Sequence, residues 1–223
     1  STWNVVYVDS HDYAPDRNQA SRFTGGTLTW AENMCLMFTF RGIPCLYYGS
    51  EVEFQKGVVI DVGPNQPLSE TGRAYFGDYL EGSVTASDFG DYTASGKVSE
   101  TLNSTLSQQL IKLNKIRKAV PALQKGQYSV NDVTGSIAFK RGYTDPNTGD
   151  KSFACVSVTD AATFKNIPNG TYIDAVTGDT KTVTDGTLSI AASGKGNCRV
   201  YVLSSNGYKG ISGQIGGTTT YLK

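Results

Sequence analysis

The sequence predicts an α/β part followed by an all-β part, on three observations. Val5-Val6-Tyr7-Val8 is a short apolar run that stops abruptly at Asp9-Ser10-His11-Asp12, the pattern of a parallel strand buried on both faces. A helical stretch and a second apolar run, Ile43 to Tyr48, follow within about 45 residues, which makes a βαβ unit with a right-handed crossover. From about Ala122 the pattern changes to short, partly alternating runs separated by turn residues, the mark of an antiparallel sandwich.

Polar residues crowded at the C-terminal end of a parallel strand are where barrel and open-sheet enzymes place their chemistry. His11, the only histidine of the chain, stands there between Ser10 and Asp12. Its titration range is the general argument for function; the competing reading is a satisfied structural imidazole. The helix after it is expected to start at a capping box, Thr29 with Glu32 three residues on, with Trp30 following the cap. Met34 to Phe40 is apolar nearly all round, so the helix is buried, and Gly42 and Pro44 stop it. Cys35 and Cys45 read as small buried apolar fillers.

Between strand and helix lies a polar loop in which Asp16 and Arg17 are candidate binding residues, against the alternative of a solvated pair. After Glu51 comes a long Gly-rich connection from Val52 to about Asn103, with a short helical turn expected near Thr71 to Tyr79. Connections of that length are usually functional, and Asp61, Asn65 and Arg73 are its polar residues of interest. A second helix starts at Asn103 or Ser104. Leu106, Leu110, Leu113 and Ile116 should face a core, with Gln108, Lys112, Lys115 and Lys118 facing water, and Pro121 should end it.

The strand-like runs of the second part are 136–141, 153–158, 171–176, 188–190 and 199–203. Asp145-Pro146-Asn147, Pro168-Asn169-Gly170, Thr177-Gly178 and Asp185-Gly186 supply the turns. Cys155 and Cys198 fall in two of these runs; a disulfide between them and two free thiols are both open. No cysteine shows zinc-ligand spacing. The tail from Asn206 to Lys223 is rich in Gly and Thr and reads as a linker or terminus.

Lys plus Arg and Asp plus Glu each number 20, so nothing argues for nucleic acid or an anionic membrane surface. No apolar run approaches the roughly 18 residues of a membrane span. The opening Ser1-Thr2-Trp3-Asn4 shows no leader pattern. Abundant Gly, Thr, Ser and Tyr with modest charge favours a secreted, β-rich protein. Asn103-Ser104-Thr105 and Asn169-Gly170-Thr171 fit the glycosylation pattern, which is common by chance and decides nothing.

Val8-Asp9-Ser10-His11-Asp12 resembles the fourth conserved motif of the α-amylase family of glycoside hydrolases. Gly42-Ile43-Pro44-Cys45-Leu46-Tyr47-Tyr48-Gly49-Ser50-Glu51 resembles that family's Gly-x-Pro-x-x-Tyr-Tyr-Gly-x-Glu segment, its eighth barrel strand. The order and spacing of the two agree with the family; Ser10 departs from its usual Asn. The resemblance implies that residues 1–121 are the C-terminal portion of a (β/α)8 TIM barrel, about strands 7 and 8 with their helices. Residues 122–205 would be the antiparallel Greek-key β-sandwich that follows it, and 206–223 the tail. A whole barrel takes on the order of 250 residues, so the resemblance also implies a missing N-terminal barrel portion as partner.

By the same resemblance Asp12 matches the acid that stabilises the transition state, and His11 the imidazole that binds hydroxyls of the same sugar. Asp16 and Arg17 would lie over the barrel mouth. The substrate class is an α-1,4-glucan, meaning starch or maltooligosaccharides. The nucleophile and the acid/base belong to earlier strands, as does most of the family's calcium site, so calcium is expected of the complete enzyme without ligands identified in this chain. The polypeptide alone is therefore expected to be inactive until the missing part is added. Three other readings stay open: a cyclodextrin or glucanotransferase of the same family, a non-catalytic starch-binding sandwich, and a sandwich that merely caps the barrel. A binding sandwich would use exposed aromatic rings. Trp3 and Trp30 lie outside it, leaving Tyr128, Tyr143, Tyr172 and Tyr208.

Overall fold

The computed structural model describes residues 3–12, 21–60, 66–88 and 91–223. The chain begins with β1 (Val5–Val6), α1 (Thr27–Thr39) and β2 (Ile43–Pro44). β1 and β2 pair in parallel, Val5 opposite Ile43 and Val6 opposite Pro44, with the Ile43 amide donating to Asn4 and the Cys45 amide to Val6, each at 2.8 Å. Gly42 belongs in this pairing for a steric reason. It has φ +96°, and a Cβ there would lie 2.5 Å from the Asn4 carbonyl oxygen and 2.7 Å from Val6 Cγ2, so only glycine lets the strands meet.

Two expectations for this unit are corrected. The strands are covered on one face only. Val6, Val8 and Leu46 pack on the main core, whereas Val5 is 58% and Tyr7 47% exposed and Cys45 is exposed rather than a buried filler. An apolar run cannot distinguish a strand packed on two faces from one packed on one. The capping box is also absent. α1 starts two residues before Thr29, after Gly26, with no side-chain cap. Glu32 is instead drawn sideways, accepting a hydrogen bond from the Thr159 hydroxyl and pairing with Lys195 at 3.4 Å.

The connection after β2 carries more structure than its composition suggests. Short 3-10 turns at Ser50–Val52, Leu68–Glu70 and Gly77–Leu80 are followed by an antiparallel hairpin, β3 (Ser83–Asp88) and β4 (Asp91–Ser95), and by α2 (Lys97–Leu102). Phe54, Ala74 and Phe76 form its own small core. Then α3 (Thr105–Ala119) begins at Ser104, whose hydroxyl accepts from the Ser107 amide at 3.3 Å. Its expected core face, Leu106, Leu110, Leu113 and Ile116, is buried. Pro121 does close this helix, and it also opens α4 (Pro121–Lys125) from the N1 position.

Lys112 is the exception on α3. Read as a solvent-facing residue, it is 0% exposed. Its ammonium donates to the carbonyls of Val176 at 2.9 Å and Leu222 at 3.2 Å, and burial pulls its pKa down. The C-terminal stretch brings this about by returning to the helix. Leu222 is fully buried, the Ile215 amide bonds to Ala175 at 2.9 Å, and the Lys223 amide bonds to Asn197 Oδ1 at 2.7 Å. Helical periodicity on α3 cannot register a segment that arrives a hundred residues later.

The remaining strands are β5 (Gln127–Ser129), β6 (Val133–Thr134), β7 (Ala138–Thr144), β8 (Lys151–Val158), β9 (Ala162–Phe164), β10 (Gly170–Asp174), β11 (Thr180–Val183), β12 (Leu188–Ile190) and β13 (Cys198–Leu203). They form a six-stranded sheet in the order β11-β10-β13-β8-β7-β5 and a three-stranded sheet in the order β12-β9-β6, antiparallel throughout. The period of two on β7, β8 and β13 sends side chains to opposite faces. Ala138, Cys155, Tyr201 and Leu203 meet Phe164, Leu188 and Ile190 of the small sheet. Phe139, Val156, Val200 and Val202 meet Met34, Leu113 and Leu123 of the helices. The large sheet is thus the middle of three layers, and one core joins the helical part to it.

Candidate active site

β1 hands the chain to four polar residues that divide by burial. Asp9 turns inward and is 3% exposed. Ser50 Oγ donates to its Oδ2 at 2.5 Å, and Trp30 Nε1 donates to the Ser50 carbonyl at 2.8 Å. Burial raises the Asp9 pKa, opposed by the Ser50 hydrogen bond and the charge of Arg22. Arg22 is buried. Its guanidinium lies 4.1 Å over the Tyr47 ring, donating to the carbonyls of Tyr48 at 2.7 Å and Gly72 at 2.8 Å. It therefore ties the turn after β2 to the strand-end network and to the 72–73 segment.

That anchoring positions Arg73. Its Nε and Nη2 donate to the His11 carbonyl at 3.2 and 3.0 Å, and Nη2 stands 3.7 Å from Asp12 Oδ1. His11 Nε2 is 3.3 Å from the same oxygen, and the Asp12 amide donates to Ser10 Oγ at 3.1 Å. Both side chains face water, His11 68% and Asp12 64% exposed. Exposed pairs of this kind are worth under about 1 kcal/mol, so the arrangement is not there to hold the fold. An imidazole and a carboxylate side by side, braced from behind by a guanidinium, offer a donor and an acceptor to adjacent hydroxyls of a polyol.

Of the candidate residues, the structure brings His11, Asp12 and Arg73 together. Asp16, Arg17, Asp61 and Asn65 lie outside the described residues. Arg22 and Ser50 were not singled out by the sequence. Ser50 sat unremarked inside a motif, and Arg22 follows a loop with no periodic pattern to draw attention to it.

Glu51 adds a testable property. Its Oε2 is buried without a hydrogen-bond partner, and burial raises its pKa, opposed by its own and Gly49's backbone amides. A carboxyl whose folded pKa exceeds its unfolded value costs stability as pH rises from the unfolded value, 4.5, through the folded one, and the full cost remains above it. Glu51→Gln should therefore flatten the stability profile above pH 4.5 and keep or raise stability near neutral pH. Urea midpoints across that range check it; a variant weaker than the parent near neutrality contradicts it.

The described residues assemble no carboxylate cluster to which calcium can be assigned. Such an ion takes six to eight oxygen ligands, and among the described residues no three His, Cys, Asp or Glu side chains converge.

No protein-family model matches the sequence, and no curated protein is similar to it. Solved structures are. An α-amylase from Geobacillus thermoleovorans, crystallised with acarbose, matches over 92% of this chain at a TM-score of 0.54 and 18% identity. The chain shares the fold of part of an α-amylase. An Anoxybacillus α-amylase agrees over the same share, at TM-score 0.55 and 18% identity. So does the cyclomaltodextrin glucanotransferase CldA, over 90%, at TM-score 0.50 and 20% identity. The chain spans 39% of the length of each α-amylase and 36% of the transferase. Likeness to the α-amylases extends beyond the βαβ unit to the sheets that follow, because a match over 92% must include both.

Proposed function

We propose that the chain is part of a retaining glycoside hydrolase acting on α-1,4-glucans such as starch and maltooligosaccharides. In this reading β1-α1-β2 with α3 and α4 are the end of the catalytic barrel, and the two antiparallel sheets are its Greek-key C-terminal sandwich. The single observation that carries it is the His11–Asp12 pair at the tip of a parallel strand, backed by Arg73 and by the Asp9–Ser50 bond. An α-amylase of the same fold binds acarbose, which supports the substrate class.

Retaining hydrolysis takes a nucleophilic carboxylate and an acid/base carboxyl roughly 5 Å apart, with positive charge building at the anomeric carbon between them. Asp12 is assigned to neither role. It binds the 2- and 3-hydroxyls of the distorted sugar and places negative charge beside the oxocarbenium-like transition state, while His11 donates to a hydroxyl of the same ring. Bonds of this type strengthen as the ring flattens, which lowers the barrier rather than only tightening binding. Asp16 and Arg17 are assigned to further sugar contacts. The nucleophile and acid/base come from a partner portion of barrel, and the complete enzyme is assigned to a secreted setting.

The cyclomaltodextrin glucanotransferase CldA is similar in fold to this chain, so transfer to an acceptor sugar is the second reading within this class. The starch-binding sandwich has less support. Among the described residues every large exposed aromatic lies between Trp3 and Tyr79, and Tyr172 is fully buried. The test is reducing-sugar release from soluble starch by the purified chain alone and after addition of the N-terminal barrel portion. Activity only in the mixture is expected. Activity of the chain alone overturns the assignment, and calorimetric binding of maltooligosaccharides by residues 122–223 would favour the binding module instead.

A further inference from the structure

The base of the β3–β4 hairpin brings two turns of the long connection face to face. Gly82 directly precedes β3 and Gly96 directly follows β4. A Cβ on Gly82 would lie 2.0 Å from the Ser95 carbonyl oxygen, and one on Gly96 3.0 Å from the Gly82 Cα. Both have positive φ, +126° and +75°, so this neck requires glycine twice. The crossing sets the 3-10 turn Gly77–Leu80 against α2. There the Val98 amide donates to the Glu81 carbonyl at 2.9 Å and Thr101 Oγ1 to the Tyr79 carbonyl at 2.7 Å. No disulfide assists, since all four cysteines are free, with Cys155 and Cys198 on opposite faces of the large sheet.

Between these elements lies a cavity of about 430 Å³, where Asp78, Tyr79, Lys97 and Glu100 surround Thr101 and Ser104. Its size is that of a small-molecule site, and none of the strand-end residues lines it. Tyr79 is 41% exposed yet firmly packed. Its ring stacks on Phe76 at 5.0 Å and 10° and meets the Phe54 ring edge-on at 5.3 Å. The hydroxyls of the wall are already engaged, Thr101 with the Tyr79 carbonyl and Ser104 with the Glu51 carbonyl at 3.2 Å. The groups left to meet a guest are Asp78, which is exposed, and the Lys97–Glu100 pair. That pair is 2.9 Å apart and 62% and 70% exposed, and pairs so exposed add little to stability.

Charge and shape limit the guest. The two carboxylates oppose an anion and the Lys97 ammonium opposes a cation, which leaves a neutral molecule. The Tyr79 ring face, with Val52 and the Lys97 stem beside it, suits the C–H face of a pyranose. An ammonium and two carboxylates set around that surface suit the hydroxyls at the sugar's edge. We propose that this cavity is a saccharide site separate from the strand end, taking a short neutral glucan with one pyranose ring laid on Tyr79. Its choice of α-1,4-glucan rests on the function proposed above; the site itself does not. In the joined enzyme it holds a long chain at a second point, which raises the polymer's local concentration at His11 and Asp12.

The test titrates the full isotope-labelled chain with maltotriose and follows its assigned backbone amide shifts. Saturable shifts are expected at residues 78–80 and 97–104. Tyr79→Ala should weaken that binding about 10-fold or more, and Glu100→Gln about 5-fold. Tyr79→Phe keeps the ring and should stay within about 2-fold of the parent. Glu100 is exposed, so its variant keeps the test sound if Tyr79→Ala disturbs Phe76. Glycerol, a polyol without a ring, should give no saturable shift. Asp12→Asn should leave the cavity shifts unchanged, which separates this site from the strand-end assignment; shifts at the cavity alone support it even where that assignment fails. Shifts confined to residues 7–12, or an equal response to glycerol, would overturn the proposal. So would cavity shifts that neither Tyr79→Ala nor Glu100→Gln weakens, or no response to maltotriose at all.

Discussion

Replacing Asp12 by Asn in this chain joined to the rest of its barrel is expected to lower kcat on maltooligosaccharides by about 10²–10³-fold, with KM changed far less. The size follows from the role. A group that acts on charge developing only in the transition state is worth about 3–4 kcal/mol when removed from a preorganised site, and its loss falls on kcat rather than on ground-state binding. Asn keeps the hydrogen bonds to hydroxyls but not the negative charge, so the variant separates electrostatic stabilisation from simple grip. His11→Asn should cost less, since it removes one donor and no charge. Stability should not move in either variant, because both side chains are mostly exposed and their mutual pairing is worth under about 1 kcal/mol. A D12N enzyme with kcat within threefold of its parent would remove Asp12 from the chemistry. Equal losses in stability and activity would recast it as a structural residue.

The place of His11 and Asp12 was legible because they sit on an abrupt change from apolar to polar, a boundary that survives any uncertainty about packing. The role given to Asp12 came only from the resemblance to the α-amylase family. Arg73 was legible only as a polar residue in a long connection. Its arrival over His11 depends on Arg22 gripping Gly72, a contact across fifty residues that no local pattern encodes. The two-sheet part was legible for the opposite reason: alternation and turn chemistry are local, and β7, β8, β10, β12 and β13 fall on or beside the expected runs. The hairpin β3–β4 was not, since Ser83 to Ser95 is short and polar and packs little apolar surface. Lys112 and the cap of α1 failed for one reason. In both, a segment distant in sequence supplies what the helix would otherwise have to supply itself, the C-terminal stretch covering Lys112 and the sheet edge engaging Glu32.

The largest stability effect is expected at Arg141, which sequence alone would place on a strand surface. It is 0% exposed on β7. Its Nη1 donates to the Thr39 carbonyl at 2.8 Å and its Nη2 to the Gly126 carbonyl at 2.9 Å. Thr39 is the last residue of α1, and Gly126 follows the last turn of α4, so one guanidinium satisfies carbonyls at two helix C-termini, where the partial charge is negative. Arg117 works beside it on Phe38, Phe40 and Gly42. Burial depresses the Arg141 pKa to about 10, helped by the charges of Arg117 and Arg41, which still leaves it a cation at neutral pH. Arg141→Met fills much of the volume but leaves two interior carbonyls without donors, each costing about 1–3 kcal/mol, partly offset by removing a desolvated charge. A net loss of about 2–4 kcal/mol is expected, seen as a drop of roughly 5–15 °C in Tm. Arg141→Lys should recover only part of it, because a single ammonium cannot serve both carbonyls in the geometry a planar fork allows. The damage should also spread in a defined direction. Gly42 lies three residues past the end of α1, so loosening that helix end should speed hydrogen exchange of the Ile43 and Cys45 amides, which carry the β1–β2 pairing, before that of the β10–β11 amides on the far side of the sheet. Uniform exchange acceleration, or a methionine variant as stable as the parent, would show that Arg141 occupies its place without supporting the strand pair that presents His11 and Asp12.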